Sequence, residues 1–103
     1  DVDLTGAMME GVNLSRSNLR NAQLKGAILT AVDLKGPNGE SLGKQWPANL
    51  SAANFTGANL EGANMSDANL IDANFTGARL KGAIFDGADL EDAKFDSGHK
   101  ASA

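Results

Sequence analysis

Large apolar side chains recur at every fifth residue along almost the whole chain, and this spacing restricts the fold more than any other feature. Between residues 50 and 95, ten centres lie five apart, all Leu, Phe or Met, and the residue two places before each is Ala. An earlier series runs from Leu4 to Leu34 with the same spacing in another frame. The two series together contain seventeen units, which is too regular for a chance arrangement.

A period of five fits neither an α-helix nor a flat strand. Five steps of about 100° move an apolar stripe around a helix, and an odd spacing places successive centres on opposite faces of a strand. The pattern predicts a coil that turns a corner every five residues, with a small residue and a large centre pointing inward in each unit. Four such units close a square, so residues twenty apart are expected to stack.

These units resemble the pentapeptide-repeat family, whose consensus is A(D/N)LXX. The unit Ala58-Asn59-Leu60-Glu61-Gly62 is nearly ideal, and the resemblance covers residues 2–96 apart from one interruption. It implies an all-β fold, a right-handed quadrilateral (four-sided) parallel β-helix solenoid of about four and a half coils. Ser17 departs from Ala at the small inward position but is itself small, so it agrees with the fold.

We expect the β-helix to span residues 1–96, with a loop at 36–47 and a flexible C-terminal tail at 97–103. Gly, Pro and Asn mark the loop. If it replaces one side of a coil, six residues are inserted. One face then holds Leu4, Leu24, Leu50, Leu70 and Leu90. In either case Phe55, Phe75 and Phe95 are expected to stack as a ladder.

The loop contains the single Trp of the chain, Trp46, preceded by Lys44 and Gln45. Trp is enriched at binding hot spots, and loops carry function more often than scaffolds do. The competing expectation is that Trp46 folds down over the coil and covers one side, because a lone exposed Trp is unusual in a soluble protein.

A second candidate contact region lies near the C-terminus, where five acidic residues cluster: Asp86, Asp89, Glu91, Asp92 and Asp96. It can form a cation site, an acidic docking surface or simply a solvated outer face. Our predicted partner contacts from both regions are Lys44, Gln45, Trp46, Asp86, Asp89, Glu91 and Asp92.

The sequence predicts neither an enzyme nor a cofactor or metal protein. Cys is absent, which excludes disulfides and thiolate chemistry, and no glycine run has P-loop spacing. His99 is the single His and lies in the tail without partners at metal-ligand spacing. Three apolar residues at outward positions, Ile28, Ile71 and Ile84, are scattered along the chain.

The charge distribution argues against nucleic-acid and membrane partners. Residues 1–47 contain five acidic and five basic residues, whereas residues 48–98 contain eight and three, a net charge of −5. The chain has no basic patch, no polybasic stretch and no apolar run of membrane-spanning length. We therefore expect a protein partner, no nucleic acid and no membrane insertion.

The main functional prediction is a non-enzymatic structural or protein-interaction module. The resemblance also implies an alternative, a DNA mimic that binds and protects DNA gyrase. Four and a half coils span about 20 Å, where DNA carries on the order of 12 negative charges, but the chain carries −4.

The ends of the chain carry two further expectations. The chain begins at Asp1. With the resemblance, this suggests a mature chain of the thylakoid lumen or periplasm after leader removal, or alternatively a cytoplasmic protein. No N-terminal cap is visible in the repeat, so end-to-end self-association is expected.

Overall fold

The chain forms a coil of short parallel bridges in a computed structural model that describes residues 2–95. Asp3 pairs with Gln23, and Asn49 pairs with Asn69, a spacing of twenty residues per coil. The predicted four-sided coil is therefore confirmed. Within the described chain the bridges define sixteen sides in four coils, fewer than the predicted four and a half.

Stacking of the sides gives the solenoid four faces, which we name by the outward residues that bridge from coil to coil. Face A contains Asp3, Gln23, Asn59 and Arg79, and face B contains Met8, Ile28, Asn64 and Ile84. Face C contains Asn13, Asn49, Asn69 and Asp89, and face D contains Asn18, Asn54, Asn74 and Lys94. Each corner is named by the two faces it joins.

A tight turn closes each corner. In the third coil the Ala63 amide donates to the Leu60 carbonyl at 3.0 Å, and Gly62 between them has φ of 69°. Glycine adopts this left-handed backbone without a steric cost. The side chain before the centre caps the same turn: Asn59 Oδ1 accepts from the Glu61 amide at 3.1 Å. Asn and Asp at this position therefore have a structural reason.

The core is a narrow column of inward side chains, and two of its rows test the predicted stacking. Phe75 stacks on Phe55 at 5.0 Å and on Phe95 at 5.1 Å, which confirms the ladder. The predicted row of five leucines is wrong. The face A row contains Leu4, Leu24, Leu60 and Leu80, and the face C row contains Leu14, Leu50, Leu70 and Leu90.

The interruption is a β-hairpin, and its geometry explains this error. Strand β1 (Val32–Lys35) pairs antiparallel with β2 (Ser41–Trp46). Successive bridging positions are normally five apart, but 28 and 49 are twenty-one apart, so sixteen residues are inserted at the B/C corner of the second coil. The unit centred on Leu34 thus leaves the coil, and the predicted loop at 36–47 is the second part of a longer insertion. The turn of the hairpin closes with Gly36 N donating to the Glu40 carbonyl at 2.8 Å.

Candidate interaction surface on the hairpin and face C

The base of the hairpin rests against the first coil. Val32 lies directly opposite Trp46, and a Cβ built on Gly11 would lie 2.8 Å from Val32 Cγ2. The same position is 3.5 Å from the Trp46 carbonyl oxygen. Gly11, which has φ of 69°, is therefore needed both for its backbone conformation and for this close approach.

Trp46 lies at the edge of face C and does not bury itself there. Trp46 is 60% exposed, and all six residues of β2 are exposed. With Pro47 it borders an open groove of about 290 Å³ whose other lining residues are Asn13, Asn49 and Asn69. The expectation that Trp46 covers one side of the coil is corrected: the hairpin protrudes and leaves an aromatic wall beside face C.

The asparagines of the groove use one side-chain atom internally. Asn49 Oδ1 accepts from the Ser51 amide at 3.1 Å, and Asn69 Oδ1 accepts from the Ile71 amide at 3.2 Å. Asn13 does the same with Ser15 at 3.1 Å. The Nδ2 groups are left to meet solvent or a partner, so the polar part of the groove consists of amide donors beside an apolar wall.

Lys44 and Gln45, two of the predicted contact residues, are exposed on β2, and Asp33 makes the polar contacts of the hairpin that carries them. Lys35 Nζ lies 3.1 Å from Asp33 Oδ2, and Ser41 Oγ donates to Asp33 Oδ1 at 3.1 Å. The hydrogen bond from Lys35, and then that from Ser41, lowers the pKa of Asp33 below its usual value. The hairpin is thus held by its own polar contacts as well as by its base.

The four predicted acidic contacts all lie on or beside face C in the fourth coil. Asp89 is on the face, Asp86 is at the B/C corner, and Glu91 and Asp92 are at the C/D corner. The fold brings two more carboxylates next to them. Asp67 N donates to the Asp86 carbonyl, and Asp72 N donates to the Glu91 carbonyl, at 2.8 and 2.9 Å.

Asp67 and Asp72 were not among the predicted contacts, because they are separated in sequence from the acidic residues near the C-terminus. The twenty-residue period is the signal that could have found both, because it stacks Asp72 on Asp92 and stacks Asp67 on Gly87, the neighbour of Asp86. We call Asp67, Asp72, Asp86, Asp89, Glu91 and Asp92 the face C acids. Within residues 2–95, no group of His, Cys, Asp and Glu is arranged to hold a metal ion.

Two of the outward isoleucines share one face. Ile28 and Ile84 belong to face B with Met8, which is 72% exposed, whereas Ile71 lies at the C/D corner. The prediction that the three outward isoleucines are scattered is therefore partly wrong, because the fold aligns residues that are far apart in sequence. His99, Asp96 and the tail at 97–103 lie outside the described residues.

The stacked bridges, the capped corners and the uniform core define a repeat solenoid of the right-handed quadrilateral β-helix class. The family described as Pentapeptide repeats matches residues 1–36, 48–87 and 73–97 in eight copies. The chain belongs to the pentapeptide-repeat family.

Solved structures agree with this assignment. HetL, a pentapeptide repeat protein involved in heterocyst differentiation regulation in the cyanobacterium Nostoc, is 35% identical over 95% of this chain, with a TM-score of 0.50. A second pentapeptide repeat protein from Nostoc is 21% identical over 91% of this chain and 80% of its own, with a TM-score of 0.59, and shows the fold. The present chain spans 40% of the HetL chain.

QnrB1, a plasmid-mediated fluoroquinolone resistance protein, is also similar in fold. It is 22% identical over 93% of this chain and 39% of its own, with a TM-score of 0.51. A comparison with curated protein sequences finds no match. In the part of the chain that the structure describes, no helix is long and apolar enough to cross a bilayer.

Proposed function

We propose that this chain is a protein-interaction module that presents the hairpin and face C to a partner protein. The observation that carries the proposal is Trp46, which is held with most of its side chain exposed beside an open groove. Exposing a large aromatic ring to water has a free-energy cost that binding recovers. The proposed contacts are Lys44, Gln45, Trp46, Asp86, Asp89, Glu91 and Asp92.

Rigidity supports this role. The hairpin is anchored at Gly11 and fastened by Asp33, so little conformational entropy is lost when a partner binds. The core is closed in the second and third coils, with Phe55, Leu60 and Met65 at 0% exposure. A stiff scaffold with one decorated corner is a suitable arrangement for docking.

Photo-crosslinking from the surface tests the proposal. A photoreactive residue at position 44 should form a defined adduct with one partner in extracts of the source organism, and Trp46→Ala should abolish this adduct. Met8→Ala is the matched control, because Met8 is also an exposed apolar residue but lies on face B. An adduct that survives Trp46→Ala, or that is lost equally with Met8→Ala, would contradict the proposed surface.

Protection of DNA gyrase is the second candidate function. The face C acids provide a local negative surface, but the other three faces lack a comparable one and the net charge of −4 is small for a DNA mimic. A supercoiling assay with gyrase and a quinolone distinguishes the two candidates. Dose-dependent rescue of supercoiling would favour gyrase protection over the module proposed above.

We also propose that the chain is not an enzyme and that it acts in the thylakoid lumen or the periplasm. Membership of the pentapeptide-repeat family supports the first statement. The 35% identity with a cyanobacterial protein supports a cyanobacterial setting for the second. Fractionation with an antibody against the chain tests the localisation, and recovery in the cytoplasm would contradict it.

A further inference from the structure

We propose that face C binds an extended segment of the partner that carries Arg or Lys side chains. One cation packs on Trp46 in the groove, and another pairs with the face C acids in the third and fourth coils. The proposal rests on the interaction module described above and specifies the chemistry of its partner. Three observations carry it: the segregation of charge, the absence of a backbone reason for that charge, and the spacing between the groove and the acids.

Charge is segregated by face in the last two described coils, residues 59–95. Six of their seven acidic residues are the face C acids, and the seventh, Glu61, pairs with Arg79 Nη2 at 3.3 Å. The basic residues of these coils are elsewhere: Arg79 on face A, Lys94 on face D and Lys81 at the A/B corner. A cationic segment on face C therefore meets no basic side chain of these coils on the face itself or at its two corners.

Backbone conformation explains why polar residues occupy these positions but not why they are charged. Asp67, Asp72 and Asp92 are the left-handed residues of their turns, with φ of 62°, 61° and 59°. At the D/A corner the same position is filled by Asn21 or by Gly57. Asn and Gly meet the same conformational requirement without charge.

Turn capping also fails to require a carboxylate on face C. Asp89 Oδ1 accepts from the Glu91 amide at 3.2 Å, as Asn69 Oδ1 does from the Ile71 amide one coil earlier. Six like charges on one surface repel one another, so neutral residues would be at least as stable there. The fold therefore does not require the negative charge, and this charge complements a cationic partner.

The groove suits the side chain of Arg or Lys. Trp46 and Pro47 provide an apolar wall for the methylene stem, and the exposed indole provides a face for the charged group. The neighbouring Asn13, Asn49 and Asn69 can donate from Nδ2 to backbone carbonyls of an extended chain. The methylene stem and the charged group of an Arg or Lys side chain therefore both have a contact in the groove.

Spacing fixes the pattern expected in the segment. Asn49 at the centre of the groove is in the second coil and Asp89 is in the fourth, two layers further along face C. Two layers are about 10 Å, and an extended peptide advances about 3.3 Å per residue. Cations three residues apart therefore reach Trp46 and the face C acids at the same time.

Fluorescence of the single Trp tests the proposal with defined probes. The probe is an unstructured, Trp-free peptide with arginine at every third position and serine and glycine between; its partner probe has glutamate instead of arginine. The arginine peptide should change Trp46 emission saturably, and the glutamate peptide should not. Binding should weaken several-fold between 50 and 300 mM salt, because exposed charge pairs are screened.

A neutralised variant tests the acids without disturbing the turns. Asn keeps both the left-handed conformation and the cap, so the variant contains Asp67→Asn, Asp72→Asn, Asp89→Asn and Asp92→Asn. Each exposed pair contributes about twofold to affinity, so the loss of four carboxylates should weaken binding of the arginine peptide by up to about sixteenfold. The control variant, which should bind within twofold of the parent, removes three carboxylates elsewhere: Asp3→Asn, Glu40→Gln and Glu61→Gln. Thermal unfolding followed by circular dichroism checks that both variants fold.

The possible outcomes separate this proposal from the interaction module itself. Equal binding of both peptides, or no loss in the neutralised variant, would overturn the cationic assignment. If the crosslink at position 44 still depends on Trp46 in that case, the module stands with a different partner chemistry. A change in Trp46 emission with protein concentration alone would show that a second copy of the chain occupies face C, which also overturns the proposal.

Discussion

Phe75 gives the sharpest test of how the core holds the coils together. Its ring is 1% exposed, stacks on Phe55 and Phe95, and makes an edge contact with Phe85 at 5.8 Å. Phe55 is equally buried in the same column, but Phe75 is its ring partner on one side and Leu19 lies on the other. Replacing each Phe by Leu makes the same chemical change in two settings that differ in ring contacts.

The expected difference follows from counting those contacts. A paired aromatic ring adds about 1 kcal/mol beyond its buried area. Phe75→Leu loses three ring pairs and Phe55→Leu loses one, whereas the change in buried area and volume is nearly the same in both. Phe75→Leu should therefore lower the free energy of unfolding by about 2 kcal/mol more than Phe55→Leu, which corresponds to a Tm lower by roughly 10 °C.

Urea unfolding followed by far-UV circular dichroism measures this difference. The dependence of the unfolding free energy on urea should be unchanged, so that the midpoints report stability alone. The double variant should recover about 1 kcal/mol relative to the sum of the single variants, because the Phe55–Phe75 pair is then counted once. Equal costs for the two single variants would show that buried area, and not ring stacking, provides the stability.

Two further predictions concern the corners and the hairpin. Ala52 has φ of 58°, so Ala52→Gly should raise the unfolding free energy by up to about 1 kcal/mol. Gly62→Ala, where the added Cβ would meet nothing within 4 Å, should lower the unfolding free energy by about the same amount. Thermal melts of both variants check the direction of each change. The folded-state pKa of Asp33 is below its unfolded value near 3.8, so its stabilisation of the hairpin is present above that pH and is lost as pH falls through the folded-state pKa. Trp46 emission should change over that range, and the change should be smaller in Asp33→Asn, where position 33 cannot titrate. An identical profile would show that the contact of Asp33 with Ser41 across the two strands does not hold the hairpin.

The coil could be predicted from the sequence because its inward positions allow so few residues. A core this narrow accepts Ala, or less often Val or Ser, at the corner and Leu, Phe or Met at the centre, and every side must satisfy the same condition. The number of sides per coil then followed from geometry, and the Phe55–Phe75–Phe95 ladder confirmed it. One five-residue unit indicates little by itself, but the regular repetition of such units along the chain predicts the coil.

The hairpin could not be placed correctly because one side of the coil is itself a short extended segment. Val32-Asp33-Leu34-Lys35 has the repeat pattern, and it can pair in parallel above the first coil or antiparallel with Ser41–Trp46. The two pairings use the same alternation of inward and outward residues, so the pattern does not distinguish them. In the structure Val32 pairs with Trp46 at the base of the hairpin, and no period of five predicts that contact.

The sequence predicted only part of the candidate interaction surface, for a related reason. Turn capping and the left-handed corners call for polar residues or Gly at several outward positions, but they do not determine which of these residues carry a charge. Proximity along the chain then becomes the natural guide to a charged surface. In a square coil that guide is wrong: the Asp72 amide donates to the carbonyl of Glu91, which is nineteen residues away in sequence. Faces, and not runs of sequence, are the units in which this surface has to be described.

The position of the insertion connects the fold to the proposed role. Sixteen residues leave the coil at the B/C corner, yet Asn13 still bridges to Asn49 and Leu14 still stacks on Leu50, so the core continues without a defect. Closing that corner needs only a short turn, as the other corners show, and the coil therefore does not depend on the hairpin for its structure. What the hairpin adds is Trp46 beside face C, the same face on which the last two coils concentrate their negative charge. Because the coil can close without the hairpin, the fold alone does not require an aromatic residue and a row of acids on the same face. Their presence together on face C therefore supports one interaction surface more strongly than either feature does alone.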